Sequence, residues 1–331
     1  MQSDGLPPKL LEVSGLSVTF GRGANVVHAV NGVDFDIAAG ETVCVVGESG
    51  SGKSAIALSL MRLIREPIGR ISSGSIRYNG LDLATLPERA MRKIRAKEIA
   101  MIFQEPMSAL NPLFTIGEQI AETLRLHERM NAKDARDRSI EILRLVQMPS
   151  PEKRAGEYPH QLSGGMRQRA MIAIAISCNP KLLIADEPTT ALDVTVQAQI
   201  LDLLAELKSR LSMAMLLITH DIGVVAETAQ RVIVTYCSRI VEEAPVAELF
   251  SNPRHPYTQG LMRSVPRLDR ETDDRPRLTQ IPGTVPVLRG SVPPGCLFAK
   301  RCELAKPSHF EVTPELREVA PGHMVSCFLY D

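Results

Sequence analysis

Residues 47–54 read GESGSGKS, which fits the pattern G-x4-G-K-S/T, and this stretch limits the possible folds more than any other. Glycines at Gly47, Gly50 and Gly52, with Ser49 and Ser51 between them, let backbone N–H groups converge on phosphates at the positive end of a following helix. ETVCVVG (41–47) is a continuous apolar run ending in glycine, as expected of a strand buried on both faces. SAIALSLMRLI (54–64) carries helical spacing. Strand, glycine-rich loop and helix, in that order, predict a parallel α/β sheet with a nucleoside triphosphate at its edge. Lys53 is placed to reach the β- and γ-phosphates and Ser54 to ligate Mg²⁺.

The rest of the chain extends this pattern. LEVSGLSVTF (11–20) and VNGVDFDI (30–37) alternate apolar and polar residues and read as half-exposed strands. KLLIAD (181–186) and MLLITHD (215–221) read as buried strands, and VTVQAQILDLLAELKSRL (194–211) is the clearest helix. Between about 105 and 160 two helical patterns replace the strands, with Asn131 as the N-cap between them, so an inserted helical subdomain is expected. RVIVTYCSRIVEEA (231–244) reads as a hairpin. Five prolines between Pro276 and Pro294 exclude long helices and leave loops with short strands.

Composition narrows the class. Lys plus Arg equals Asp plus Glu at 38 each, so there is no basic excess of the kind that binds nucleic acid. MQSDGLPPKLLEV lacks the basic and apolar regions of a secretory signal. AMIAIAI (170–176) and MAMLLI (213–218) fall short of the roughly 18–20 residues a spanning helix needs. A cytosolic chain is therefore expected, with cysteines that are buried, metal-bound or idle. Cys44, Cys178 and Cys237 fall in expected strands or an apolar helix and read as core.

Two more stretches carry chemistry. LLIADEP (182–188) ends an apolar strand in Asp186, which can hold Mg²⁺ through water, next to Glu187, which can polarise an attacking water. In LSGGMRQ (162–168), Ser163, Gly164 and Gly165 open a helix and form a second anion site. Here the chain resembles the nucleotide-binding subunits of ABC transporters. GESGSGKS matches the Walker A motif, LLIADE the Walker B and LSGGMRQ, with Gln168, the signature. Gln104 in MIFQEP stands at the Q-loop, ALD (191–193) with Asp193 at the D-loop, and His220 in LLITHD at the H-loop.

The resemblance implies an α/β phosphate-loop ABC ATPase domain over 8–250. Its features would be a parallel-sheet core, an antiparallel β part, the helical subdomain at about 105–160, and a small irregular C-terminal extension over 251–331. It implies ATP and Mg²⁺, with Gln104 a further Mg²⁺ ligand, Ala55 and the loop at the phosphates, Phe20 stacking on adenine and His220 at the γ-phosphate. In such proteins the signature of one subunit caps the ATP held by the Walker A of another. With one phosphate loop, this chain must pair. Ser238 stands where relatives often have a hairpin glycine, which puts the turn type in question.

The tail narrows the family. NPRHPYTQGLM (252–262), IPGTVP (281–286) and PPGCLFAKRC (293–302), with EPMSALNP (105–112), resemble ATPase subunits of oligopeptide and dipeptide importers. That family also serves nickel, opines and other small solutes, and a soluble ABC ATPase acting on nucleic acid or ribosomes is the rival from another class. The implied partners are two membrane permease subunits, a second, non-identical ATPase subunit and an extracytoplasmic solute-binding protein. The implied location is peripheral, on the cytoplasmic face of the cell membrane. The family's tail carries four cysteines that look like ligands of a 4Fe–4S cluster. Cys296, Cys302 and Cys327 match three of them, and His309 stands at the fourth. Imidazole can ligate iron, and three cysteines with a histidine equally make a structural zinc set.

Overall fold

The computed structural model describes residues 9–190, 192–264 and 281–330. The opening MQSDGLPP, Ala191 of the D-loop stretch and Pro276 lie outside the described residues. In chain order the first elements are β1 (Lys9–Phe20), β2 (Val27–Ala38), β3 (Thr42–Val46), α1 (Lys53–Leu60), β4 (Gly69–Tyr78), β5 (Leu81–Asp82), α2 (Glu88–Ile94) and β6 (Ile99–Ile102). Helices α3 (Pro106–Ala109), α4 (Ile116–His127), α5 (Ala132–Leu145), α6 (Pro151–Ala155) and α7 (Gly164–Ile176) follow. Next come β7 (Leu182–Asp186), α8 (Val194–Leu211), β8 (Ala214–Ile218), α9 (Ile222–Thr228), β9 (Arg231–Tyr236) and β10 (Arg239–Pro245). The last are α10 (Val246–Ser251), α11 (Pro256–Arg263), β11 (Arg317–Ala320) and β12 (His323–Val325).

The chain divides into two compact units. The first is built mainly from Thr85–Ile218, with Ile37–Glu41. Here β6, β7 and β8 pair in parallel, and every residue of the three strands is buried. That explains why they read as unbroken apolar runs: side chains on both faces are shielded from water. Helix α8 spans the residues its period predicts. It buries Ile200, Leu203, Leu204 and Leu207, spaced three or four apart. Each such side chain contributes about 1.5–3 kcal/mol when removed from water. Asn131 caps α5 as expected, accepting from the Asp134 N–H at 2.9 Å. Helix α4 starts in a capping box of Thr115 and Glu118.

The second unit comprises Leu11–Asp36, Thr42–Ala84 and the described part of Thr219–Asp331. One antiparallel sheet has the order β2-β1-β4-β5. Elsewhere β3 pairs in parallel with β9, β9 turns back into β10, and β12 and β11 extend that edge. The tail is irregular over 281–316, as its prolines predict, but β12 docks on β10 through Glu242↔Val325.

Some expectations need correction. Helix α1 ends at Leu60, short of residue 64. Strands β4 and β6 and helix α2 were not foreseen. Cys178 lies beyond the end of α7, and Cys237 sits in the β9–β10 turn and not in a strand. Both remain buried. Cys237 has φ +45° and Ser238 φ +70°, so both turn residues occupy the left-handed region without a glycine. Burial pushes the thiols of Cys44 and Cys237 up to about 12 and about 11, which keeps both protonated at neutral pH.

Candidate functional site

The phosphate loop lies in the second unit, between β3 and α1. Its glycines are sterically required. A Cβ on Gly47 would sit 2.2 Å from the Thr235 carbonyl oxygen, and one on Gly52 (φ +100°) 2.2 Å from that of Ala29. Thr235 Oγ1 donates to the Val46 carbonyl and accepts from Ser51 Oγ, both at 3.0 Å. The Ser238 N–H donates to the Ser51 carbonyl at 3.1 Å, so the unusual hairpin turn braces the loop. Lys53 Nζ donates to the carbonyls of Gly47 (2.8 Å) and Glu48 (3.1 Å), bending the ammonium over the loop. Ser49 and Gly50 are exposed at its crest, and Ser54 and Ala55 are half-buried in the first turn of α1. Phe20 is half-buried at the end of β1, its ring packed so closely over Gly69 that a Cβ there would meet Cδ1 at 2.6 Å.

The carboxylates belong to the first unit. Asp186 ends β7 and is 5% exposed. Glu187 follows with φ +46°, a left-handed conformation that costs a non-glycine residue about 1–2 kcal/mol. Its N–H donates to the Ile218 carbonyl at 2.9 Å. Its Oε2 accepts from Gln104 Nε2 at 3.0 Å and from Thr190 Oγ1 at 2.9 Å. The predicted Q-loop glutamine and Walker B glutamate are thus brought together. Thr190 was missed by sequence reasoning, and its only signal was its place three residues after Glu187. The candidate Mg²⁺ ligands Asp186, Gln104 and Ser54 offer oxygens alone, a donor set that suits a hard cation.

Ser163, exposed, caps α7 by accepting from the Met166 N–H at 3.4 Å. Gly164 is exposed beside it, and a Cβ on Gly165 would meet Val196 Cγ1 at 2.9 Å. Gln168, further along α7, is 2% exposed. Asp193 caps α8, accepting from the Val196 N–H at 3.0 Å. In the second unit, His220 is exposed between Thr219 and Asp221. Thr219 Oγ1 accepts from the Asp221 N–H at 3.0 Å, and the Asp221 carboxylate caps α9 from Gly223 N–H at 2.8 Å.

Cys296, Cys302, His309 and Cys327 line one small pocket in the tail, together with Phe298 and Phe328. The Cys296 N–H donates to the His309 carbonyl at 2.7 Å, His309 Nδ1 accepts from the Lys306 N–H at 3.2 Å, and its ring stacks on Phe328. Burial raises the Cys296 thiol. The four side chains share one pocket lining, yet among the described residues no three His, Cys, Asp or Glu side chains are arranged to hold a metal ion. The arrangement is a thiol-lined pocket, not a formed metal centre.

Comparison with known proteins agrees with this geometry. The ABC transporter family model matches residues 30–190, and that of the oligopeptide/dipeptide transporter C-terminal region matches 241–308. The chain is 53% identical over 322 residues to the oligopeptide transport ATP-binding protein AppD of Bacillus subtilis, covering 97% of each. It is 48% identical over 321 residues to OppD of the same organism, covering 97% of this chain and 89% of that one. The ATP-binding cassette MJ0796, solved as a dimer in a post-hydrolysis state with ADP and Pi, is similar with a TM-score of 0.64 and 29% identity. That match covers 71% of this chain and 98% of the other. With a phosphate loop, a paired Gln104 and Glu187, a capped LSGG helix and a matching tail, the chain belongs to the ABC transporter ATPases, in the branch that carries the oligopeptide/dipeptide transporter C-terminal region.

Proposed function

We propose that this chain is the ATPase subunit of a peptide importer, binding and hydrolysing ATP to drive transport through a membrane permease. The relatives named for oligopeptide transport support the substrate class over nickel, opines or another solute. The observation that carries the chemistry is the Glu187 carboxylate, held at the exit of β7 by Gln104 and Thr190. In this reading the backbone from Gly47 to Ala55 cradles the phosphates, Lys53 neutralises them and Phe20 faces the adenine. Ser54, Gln104 and, through water, Asp186 would hold Mg²⁺, which supplies charge neutralisation at the β- and γ-oxygens. Glu187 takes the proton of the attacking water and His220 contacts the γ-phosphate. Ser163, Gly164, Gly165 and Gln168, with Asp193, serve the nucleotide of a second subunit.

The assembly would hold two permease subunits, a second, non-identical ATPase subunit and an extracytoplasmic solute-binding protein, with no nucleic acid. The chain would sit peripherally on the cytoplasmic face of the cell membrane. Among the described residues no helix is long and apolar enough to cross a membrane. Its ATPase domain would run over 8–250 and its extension over 251–331. The test is Glu187→Gln, which keeps size but removes the base. Hydrolysis should fall roughly 10²–10⁴-fold while ATP still binds. Hydrolysis near the wild-type rate removes Glu187 from the role. Mass spectrometry of a pull-down from native membranes identifies the partners.

The same family reading gives the tail pocket a 4Fe–4S cluster, and three cysteines with a histidine equally suit zinc. The convergence of three thiols and an imidazole supports it, and the absence of a ligand-ready trio opposes it. Iron and zinc analysis of anaerobically purified protein decides, and metal-free protein with a protease-resistant tail rejects both.

A further inference from the structure

Glu48, the second residue of the phosphate loop, is held by the tail at both its backbone and its side chain. Arg301 Nη1 donates to Glu48 Oε2 at 2.8 Å and Nη2 to Oε1 at 3.1 Å, a bidentate fork. The Arg301 side chain is 7% exposed, against 27% for Glu48, so water competes little for the pair. The far edge of the guanidinium is fixed in turn, with Nε donating to the Pro282 carbonyl at 2.8 Å and Nη2 to that of Ile281 at 3.2 Å. Its flat face lies over the Tyr236 ring, 5.6 Å from the centroid. Separately, the Glu48 N–H donates to the hydroxyl of Tyr257, which is fully buried in α11. The Glu48 carbonyl is one of the two that accept from Lys53. One loop residue therefore ties the tail to the lysine that meets the phosphates.

We infer that Arg301 and Tyr257 are positioning residues for ATP, acting through Glu48 to hold the phosphate loop in its binding conformation, so that the tail helps set nucleotide affinity. The inference rests on the reading that GESGSGKS binds ATP. A bidentate fork fixes orientation as well as position, which a lysine at 301 cannot reproduce. Arg301 also ends the short turn Ala299–Arg301 immediately before Cys302. The thiol-lined pocket and the phosphate loop are thus joined by adjacent residues of one turn.

The test measures Mg·ATP binding by calorimetry, and steady-state hydrolysis, on the full chain. Arg301→Ala should raise both Kd and KM for ATP about tenfold with kcat within about threefold, the pattern of lost binding and intact chemistry. Arg301→Lys should recover part of the loss. Tyr257→Phe removes one hydroxyl and keeps the ring, and should raise KM severalfold, which keeps the test open if Arg301→Ala folds poorly. In a double-mutant cycle, Glu48→Ala with Arg301→Ala should weaken binding no more than the worse single change. Arg317→Ala, which breaks an exposed pair with Glu315 far along the tail from Arg301, should leave KM unchanged. Folded Arg301 and Tyr257 variants with wild-type KM, or additive effects in the cycle, overturn the inference. Undiminished binding in Lys53→Ala would instead overturn the ATP reading beneath it.

Discussion

Two helix ends of the chain, at Gly52 and at Ser163, are proposed for phosphate, and they are built in opposite ways. The Gly52 end is locked by residues distant in sequence: Ala29 against its glycine, Thr235 and Ser238 on Ser51, Tyr257 and Arg301 on Glu48. The Ser163 end is capped from three residues away and leaves Ser163 and Gly164 exposed. The first is preorganised by its own unit, with little left to order when ligand arrives. The second carries equivalent backbone donors on exposed residues, as expected of a group proposed to complete a site on another subunit.

The contrast can be broken most strongly at Gly52. Gly52→Ala places a Cβ against the Ala29 carbonyl at a φ of +100°, where neither side can yield. It should cost more than about 3 kcal/mol in urea unfolding and abolish ATP binding. A stable, ATP-binding variant would show that the loop is not locked.

A smaller effect should appear in acid, on the same side of the contrast. His255 is fully buried beside Phe298, and burial lowers its pKa to about 3. A histidine held neutral contributes stability above its unfolded pKa of about 6.5, and that contribution is lost as pH falls from there toward 3. At pH 5 the loss relative to pH 7 is about 2 kcal/mol. Asn at 255 keeps a cap acceptor for the Tyr257 N–H without the titration. His255→Asn should therefore lose about 2 kcal/mol less than wild type between pH 7 and pH 5, read by urea unfolding at each pH. Equal losses would remove His255 from the acid response.

The smallest stability effect belongs to Gly164. A Cβ there meets nothing closer than Leu192 Cδ2 at 3.7 Å, an ordinary contact. Gly164→Ala should change stability by less than about 0.5 kcal/mol and leave binding of the first ATP intact, since alanine is a good helix former. Hydrolysis should nonetheless fall if, as proposed, this surface meets another subunit's nucleotide, because the added methyl lies on it. Full hydrolysis in this variant would sharpen the contrast the wrong way, leaving the Ser163 end without a role.

How much of this was legible in sequence follows the same division. Local chemistry was readable: the N-cap at Asn131, the span of α8 and the buried runs of β3 and β7 all follow from residues within a few positions. Strand β6 was not, because four apolar residues have no period that separates strand from helix. The β9–β10 turn places Cys237 and Ser238 at positive φ, where sequence rules expect Asn or Gly. Candidate site residues were named wherever they lie inside a motif. Arg301 and Tyr257 meet Glu48 through long-range contacts that no local pattern encodes, and Thr190 meets Glu187 from three residues on without belonging to a named motif. The tail cysteines and His309 were expected as a ligand set, and spacing alone could not say that the four groups would line a pocket without assembling as ligands.

The central claim is that the Gly52 end serves its own chain's ATP and the Ser163 end another's. It is tested most directly by a structure of the Glu187→Gln protein with Mg·ATP in its closed assembly. Lys53 should lie on the β- and γ-phosphates of one nucleotide, while Ser163 and Gly164 of the same chain meet the γ-phosphate of a nucleotide held by the other subunit. Ser163 and Gly164 resting on the phosphates bound by their own Lys53 would contradict it.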